Sequence, residues 1–199
     1  MHEYTLCNHD RKNIYYTSAI LSSLAGGGIA FAITKLNSSI GITLAAPSGF
    51  AVFGLIFLLF DNFIWKIPKL YEWGLIKIPN LNGDWDAEIS SSGTQEPIPA
   101  SISISQTYTK IRIRLDTQKS QSLSKMATLE MIDPECFKLR YEYLAEYHKS
   151  VGNTLWHHGV SEITLKSKTA NFDSSYSARF YTEMDRDTSG LITLTKRKP

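Results

Sequence analysis

The chain has 199 residues, of which 43% are apolar and 20% charged, with a formal net charge of +2 and a mean hydropathy of −0.16. That apolar content excludes an intrinsically disordered chain, and two cysteines, Cys7 and Cys136, exclude a disulfide-stapled secreted module. The average hides a division. No charged side chain falls between Asn13 and Thr34 or between Leu36 and Phe60, whereas the residues beyond Phe60 hold 18 of the 21 Lys and Arg and 17 of the 19 Asp and Glu. A membrane segment is therefore joined to a water-exposed one.

Residues 1–12 read as a short N-terminal tail ending in Arg11 and Lys12. Residues 13–65 read as a two-helix membrane hairpin, because a bilayer core about 30 Å thick needs roughly 20 apolar residues in a helix. The first span is Ile14–Ile33, with Tyr15 and Tyr16 at one interface. Lys35, Asn37 and two serines suit a tight turn, and the second span is Ile40–Phe60, followed by Phe63 and Trp65 at the other interface. The competing reading, a cleaved signal peptide plus a buried helix, meets a run too long for a signal core and no small-residue cleavage site. Arg11 and Lys12 before the hairpin, and Lys66, Lys69 and Lys77 after it, are expected to put both ends and the soluble part on the cytoplasmic side. Neither span contains an ionisable group, which argues against an ion-coupled transporter. Ala19, Ser23 and Gly27 recur at four-residue spacing, as do Gly41, Ala45 and Gly49. Such small-residue ridges serve close packing either within the hairpin or between hairpins of neighbouring subunits. Pro47 is expected to kink the second helix.

Residues 66–80 read as a linker broken at Pro68 and Pro79. Over 81–199 the period changes to two. Ile102 and Ile104 alternate with serines, Ile111, Ile113 and Leu115 with charges, and Phe137, Leu139, Tyr141 and Tyr143 with Lys138, Arg140 and Glu142. Turn signals at Ser92-Gly93, Thr117 to Ser120, Asp133-Pro134, Gly152-Asn153, Asn171 to Ser174 and Ser189-Gly190 divide this region into about eight strands: 83–91, 99–107, 109–116, 123–132, 136–147, 158–167, 176–184 and 190–197. The expected fold is an all-β, antiparallel up-and-down barrel of about eight strands, with a sandwich as the alternative. Closure removes exposed edges, and eight strands enclose just enough room for side chains or one small ligand.

Chemical motifs are sparse. Asp185-Arg-Asp187-Thr-Ser189-Gly190 begins like a calcium-binding loop, but Lys196 occupies the twelfth position, where a bidentate carboxylate is required, so the segment reads as a hairpin turn. His157 and His158 are strand neighbours pointing to opposite faces, which disfavours a shared metal. No cofactor, metal or catalytic set is indicated, and the chain does not read as an enzyme. The soluble part is nearly balanced in charge, unlike a binder of DNA or RNA duplexes. Its aromatics are abundant. Tyr141 and Tyr143 share a face with Phe137 and Leu139, and most such rings, Phe172 among them, are expected in the core.

The hairpin Ile14–Phe60, the basic tail, the short linker, the opening Leu81-Asn-Gly83-Asp-Trp85 and the closing Gly190-Leu-Ile-Thr-Leu-Thr-Lys resemble the two-transmembrane, β-strand-rich effectors of CBASS, the bacterial cyclic-oligonucleotide anti-phage systems. The resemblance implies a cytoplasmic barrel that binds a cyclic dinucleotide. It further implies that binding drives homo-oligomerisation of the hairpins in the bilayer, disruption of the inner membrane and death of the infected cell. On that reading Trp85, Tyr141 and Tyr143 stack on bases or line the pocket, Arg112, Arg114 and Arg179 hold phosphate, and His157 supplies a hydrogen bond. Alternation sets Arg112 and Arg114 opposite Ile111 and Ile113, so a solvated outer face competes with that assignment. The alternatives to an effector are a membrane-tethered, lipocalin-like carrier of a small apolar ligand, an enzyme on a membrane or nucleotide substrate, and an assembly module.

Overall fold

The N-terminus departs from expectation first. The computed structural model describes residues 1–7, 10–41, 43–133, 135–147, 156–166, 175–183 and 188–197, and in it His2–Cys7 forms a strand, β1, where a tail was read. Glu3 and Thr5 alternate with Tyr4 and Leu6, a period too brief to stand out beside Asp10, Arg11 and Lys12. Eight strands follow: β2 (Gly83–Ser91), β3 (Ile98–Gln106), β4 (Lys110–Thr117), β5 (Ser120–Asp133), β6 (Cys136–Tyr147), β7 (Trp156–Lys166), β8 (Ser175–Thr182) and β9 (Ser189–Lys196). They coincide with the eight expected strands to within a few residues at each end. The turns assigned to Gly152-Asn153 and to Asn171 to Ser174, as well as Pro134, Phe172 and the Asp185–Asp187 part of the calcium-loop-like segment, lie outside the described residues.

All nine strands belong to one sheet that closes on itself in the order β1-β4-β3-β2-β9-β8-β7-β6-β5. The expected eight-stranded, wholly antiparallel barrel is thus a nine-stranded ring with one parallel pairing. The reason lies at a fork between β4 and β5. These strands pair directly from Arg114↔Leu123 to Asp116↔Gln121, then diverge beyond an irregularity between Ser124 and Met126. β1 fills the fork, antiparallel to β4 at His2↔Ile111 and Glu3↔Lys110, and parallel to β5 from Tyr4↔Ala127 to Cys7↔Glu130. At the crotch Ser124 Oγ accepts the Ile113 N–H at 2.9 Å and lies 2.8 Å from His2 Nε2. Without β1 both strands would present unpaired backbone edges.

One end of the ring, the closed end, is packed solid. Trp85, Ile102, Ile104, Leu139, Ile163, Leu165 and Leu194 are buried there around a void of only about 10 Å³. The stretch expected to be a linker contributes a short helix, Pro68–Glu72, and then the buried Ile76 and Ile78, with the buried Leu81 just beyond it. The Leu81 N–H donates to Gln106 Oε1 at 2.8 Å, Gln106 Nε2 donates to the Tyr4 hydroxyl at 3.3 Å, and that hydroxyl donates to the Tyr108 carbonyl at 3.0 Å. This network ties β1 to the segment preceding β2 and leaves few buried polar atoms unmatched.

The chain divides into two compact units, Met1–His9 with Pro68–Pro199 and Asp10–Ile67, so the helices are an insertion between β1 and β2. Helix α1 runs from Lys12 to Ile40, longer than expected. It passes through Lys35, with Ser38 and Ser39 hydroxyls both donating to the Lys35 carbonyl, and ends at Gly41, whose φ of 67° is a left-handed cap. The Asn37 side chain then clasps Leu44 through two 2.9 Å hydrogen bonds, one to each backbone group. Helix α2 begins only at Gly49, capped by Ser48 Oγ, and reaches Asn62, with a short 3-10 turn at Ile64–Lys66. Pro47 therefore stands before the helix and kinks nothing. Gly41, Ala45 and Gly49 occupy a cap, an extended connection and a first helical residue, so they form no ridge. Lys12–Ile40 and Gly49–Lys66 are each long and apolar enough to cross a membrane. The hairpin packs through Ser18, Ser22 and Val52, with Gly26 facing Val52 and Tyr15 stacked on Phe57 at 5.3 Å. That contact lies one position before the expected ridge, and Ala19, Ser23 and Gly27 are left exposed.

Candidate functional site

The other end of the ring is hollow. A cavity of about 980 Å³ opens there, beneath the β2–β3 connection and the β4–β5 turn. It forms because the inward face changes character along each strand. On β6 the sequence Phe137, Leu139 at the closed end gives way to Tyr141, Tyr143, Ala145 and Tyr147. On β4 the Ile111, Ile113 face continues as Leu115 and Thr117. On β7 the buried Leu165, Ile163 and Ser161 lead to Gly159 and His157. Phe180 and Thr182 from β8, Ile89 and Ser91 from β2, and Ile192 from β9 complete the wall.

Two glycines seat the aromatic side chains. A β-carbon at Gly159 would overlap the Tyr143 phenol and come within 2.7 Å of the Tyr181 carbonyl. One at Gly190 would overlap the Ser90 carbonyl and lie 2.7 Å from the Phe180 ring. Each ring thus lies across a bare backbone on the neighbouring strand, which fixes its direction. Tyr141 and Tyr143 stand 6.2 Å apart, and His157 meets Tyr143 edge-on at 6.3 Å and Tyr147 at 6.2 Å. Burial raises the Tyr141 phenol above its usual range, with the Ser161 hydroxyl pulling it partly back, so the ring is a neutral hydrogen-bonding group at physiological pH. A Gly159→Ala chain should unfold roughly 5 °C lower and lose the fixed Tyr143 environment, both readable by near-ultraviolet circular dichroism during thermal denaturation.

The structure brings together three of the seven residues expected at a ligand site: Tyr141, Tyr143 and His157. Trp85 points inward but belongs to the closed end, where its ring meets Tyr176 edge-on at 6.0 Å. Arg112, Arg114 and Arg179 are outside the ring and do not line the cavity. Arg114 is held by Asp116 through two hydrogen bonds of 2.7 and 3.0 Å. The physical reason is the period of two: each arginine alternates with an inward residue, Ile111, Ile113, Ala178 or Phe180. The residues missed are Thr117, Lys119, Ser120, Tyr147 and Phe180. Extending the odd-numbered face of β4 past Leu115 would have reached the first two. Among the described residues no three metal-ligating side chains converge.

The wall therefore offers flat aromatic faces, hydroxyls from Ser91, Thr117, Ser120, Ser122 and Thr182, and few charges. Its volume sits at the upper end of small-molecule sites, about 300–1,000 Å³. Such a cavity suits a large polar ligand with planar groups. The chain is 26% identical over 210 residues to a Yersinia aleksiciae protein named CD-NTase-associated protein 15, a similarity covering 98% of this chain and 97% of that one. Residues 76–196 match the family model described as the Cap15 cyclic dinucleotide receptor domain. That stretch holds β2 to β9 and the whole cavity wall, although the ring it describes is completed by β1, which lies outside it. A match over this much of the sequence makes the chain a member of the Cap15 family of CBASS-associated cyclic dinucleotide receptors.

Proposed function

We propose that the chain is an anti-phage effector. A cyclic dinucleotide enters the cavity, and its binding drives association of the helical hairpins in the inner membrane, membrane disruption and death of the infected cell. The carrying observation is the cavity of about 980 Å³, whose aromatic wall lies wholly within the stretch matched to the receptor family. Tyr141, Tyr143, Tyr147 and Phe180 supply faces for two bases, and hydroxyls supply the polar contacts of the sugar–phosphate ring. A ligand shifts an assembly equilibrium only by binding the assembled form better, so the nucleotide acts as the trigger.

The fold supports a two-span arrangement. β1 precedes the hairpin and β2 follows it, yet both belong to one ring. The chain must therefore leave and return on the same membrane face, and two crossings do this. Arg11 and Lys12 at one end and Lys66 and Lys69 at the other make that face cytoplasmic. The Ala19, Ser23 and Gly27 ridge, unused within the hairpin, is the surface for neighbouring hairpins.

The test is calorimetric titration of the full chain in detergent micelles. The ligands are cyclic dinucleotides spanning purine–purine, purine–pyrimidine and pyrimidine–pyrimidine pairs, with a long-chain fatty acid alongside. Saturable binding of a nucleotide is expected. Binding of the fatty acid alone would favour the carrier reading. Gly27→Leu fills a position with no neighbour within 4 Å. It should leave the affinity of the unassembled chain in micelles unchanged while reducing nucleotide-driven cross-linking in membranes about tenfold or more.

A further inference from the structure

A cyclic dinucleotide is a permanent dianion, and the three arginines that would have neutralised it all lie outside the cavity. Burying a phosphodiester without a compensating charge or hydrogen bonds is costly. The cavity wall must therefore hold a different anion site. Among its described residues only one lysine, Lys119, and one carboxylate, Glu96, line the wall.

Resting on the function proposed above, we infer that the β4–β5 turn, Thr117-Gln118-Lys119-Ser120, is the phosphodiester subsite, with the Lys119 ammonium as its charge. All four turn residues line the cavity, which no other chain connection among the described residues matches with both a cation and hydroxyls. The turn is built to hold its shape. Thr117 Oγ1 accepts the Lys119 N–H at 3.2 Å and the Ser120 N–H at 2.9 Å, and donates to the Ser120 carbonyl at 3.1 Å. Thr117 Oγ1 also lies 3.0 Å from the Ser120 hydroxyl, so these two residues clasp the turn and leave the Lys119 side chain to meet a ligand. Lys119 forms no ion pair among the described residues. A lysine here acts as a point charge on one phosphate, without the fork geometry of arginine.

Two consequences follow for the ligand. One cation faces two phosphates, so the second is held by neutral donors, and affinity depends on salt only weakly, through a single counterion. Glu96 belongs to the β2–β3 connection and repels phosphate, which turns the ligand so that its phosphates face the β4–β5 turn and a base edge faces Glu96.

The experiment uses the full chain in detergent and whichever member of the nucleotide panel the unaltered chain binds. Lys119→Gln should weaken binding about tenfold or more at low salt and abolish the residual salt dependence. Lys119→Arg should restore most of both. Because Lys119 sits on an exposed turn, neither change should move the thermal midpoint. Equal affinity and equal salt dependence for Lys119→Gln and the unaltered chain would overturn the subsite while leaving nucleotide recognition intact. No binding of any panel member to the unaltered chain would overturn both.

Discussion

Tyr141→Leu and Tyr143→Leu should each weaken binding of a cyclic dinucleotide about 10- to 100-fold, measured by titration of the full chain in detergent. Arg112→Ala, Arg114→Ala and Arg179→Ala should leave affinity within about twofold. The first figure follows from the loss of a stacking face, worth roughly 1–3 kcal/mol per base. Leucine keeps the apolar packing and removes only the π-surface and the phenol. Because both tyrosines already border a cavity, the truncation leaves little new void to penalise the fold. The contrast with the arginines is the discriminating part, since Arg114 is committed to Asp116 on the outer wall and all three guanidiniums face water. Tyr141 should contribute no pH dependence near neutrality. Its phenol is raised by burial, so it remains protonated throughout that range. A loss confined to the three arginine variants would instead point to electrostatic attraction by the outer surface.

The second large effect should come from the N-terminal strand. Tyr4 is buried, and its hydroxyl joins Gln106 and Tyr108 at the closed end. Tyr4→Ala should cost about 3–5 kcal/mol, by analogy with other buried aromatic truncations. That is a large part of the roughly 5–15 kcal/mol that holds a domain together, and it should lower the thermal midpoint by roughly 10 °C or more. Deleting residues 1–7 should be worse. It strips the partners from Lys110–Ile111 and from Ala127–Glu130, and so leaves β4 and β5 joined only by their short direct pairing at Arg114–Asp116. A soluble fragment beginning at the linker should therefore be aggregation-prone, whereas residues 1–9 joined directly to 68–199 should fold. Size-exclusion chromatography of the two fragments checks this, and a monodisperse fragment lacking β1 would contradict the role given to the strand.

The eight later strands were legible because a buried interior and a wet exterior force alternation, and Ile111-Arg112-Ile113-Arg114 records it directly. β1 was hidden because it is short, borders charges and finds its partners far along the chain, and no local period encodes a distant fork. The helix boundaries were misplaced for a related reason. An uncharged stretch marks what a membrane tolerates, while Gly41, Asn37, Pro47 and Ser48 decide where the backbone turns. Face and position along a strand also proved separable. Only the closed ring reveals that the inward-facing Trp85 and Tyr143 belong to opposite ends of the interior. The arginines illustrate the remaining gap, because knowing that a ligand is anionic draws attention to guanidinium groups wherever they lie.

The insertion of the hairpin between β1 and β2 also orders events during synthesis. β1 leaves the ribosome first, yet its last partner is Glu130. The two apolar helices are made in the interval, so on the proposed two-span arrangement membrane integration precedes completion of the ring. Until then β1 is a lone strand without its partners. On the function proposed above, the chain thus gains its capacity to sense a messenger only after it has been anchored where the response takes place.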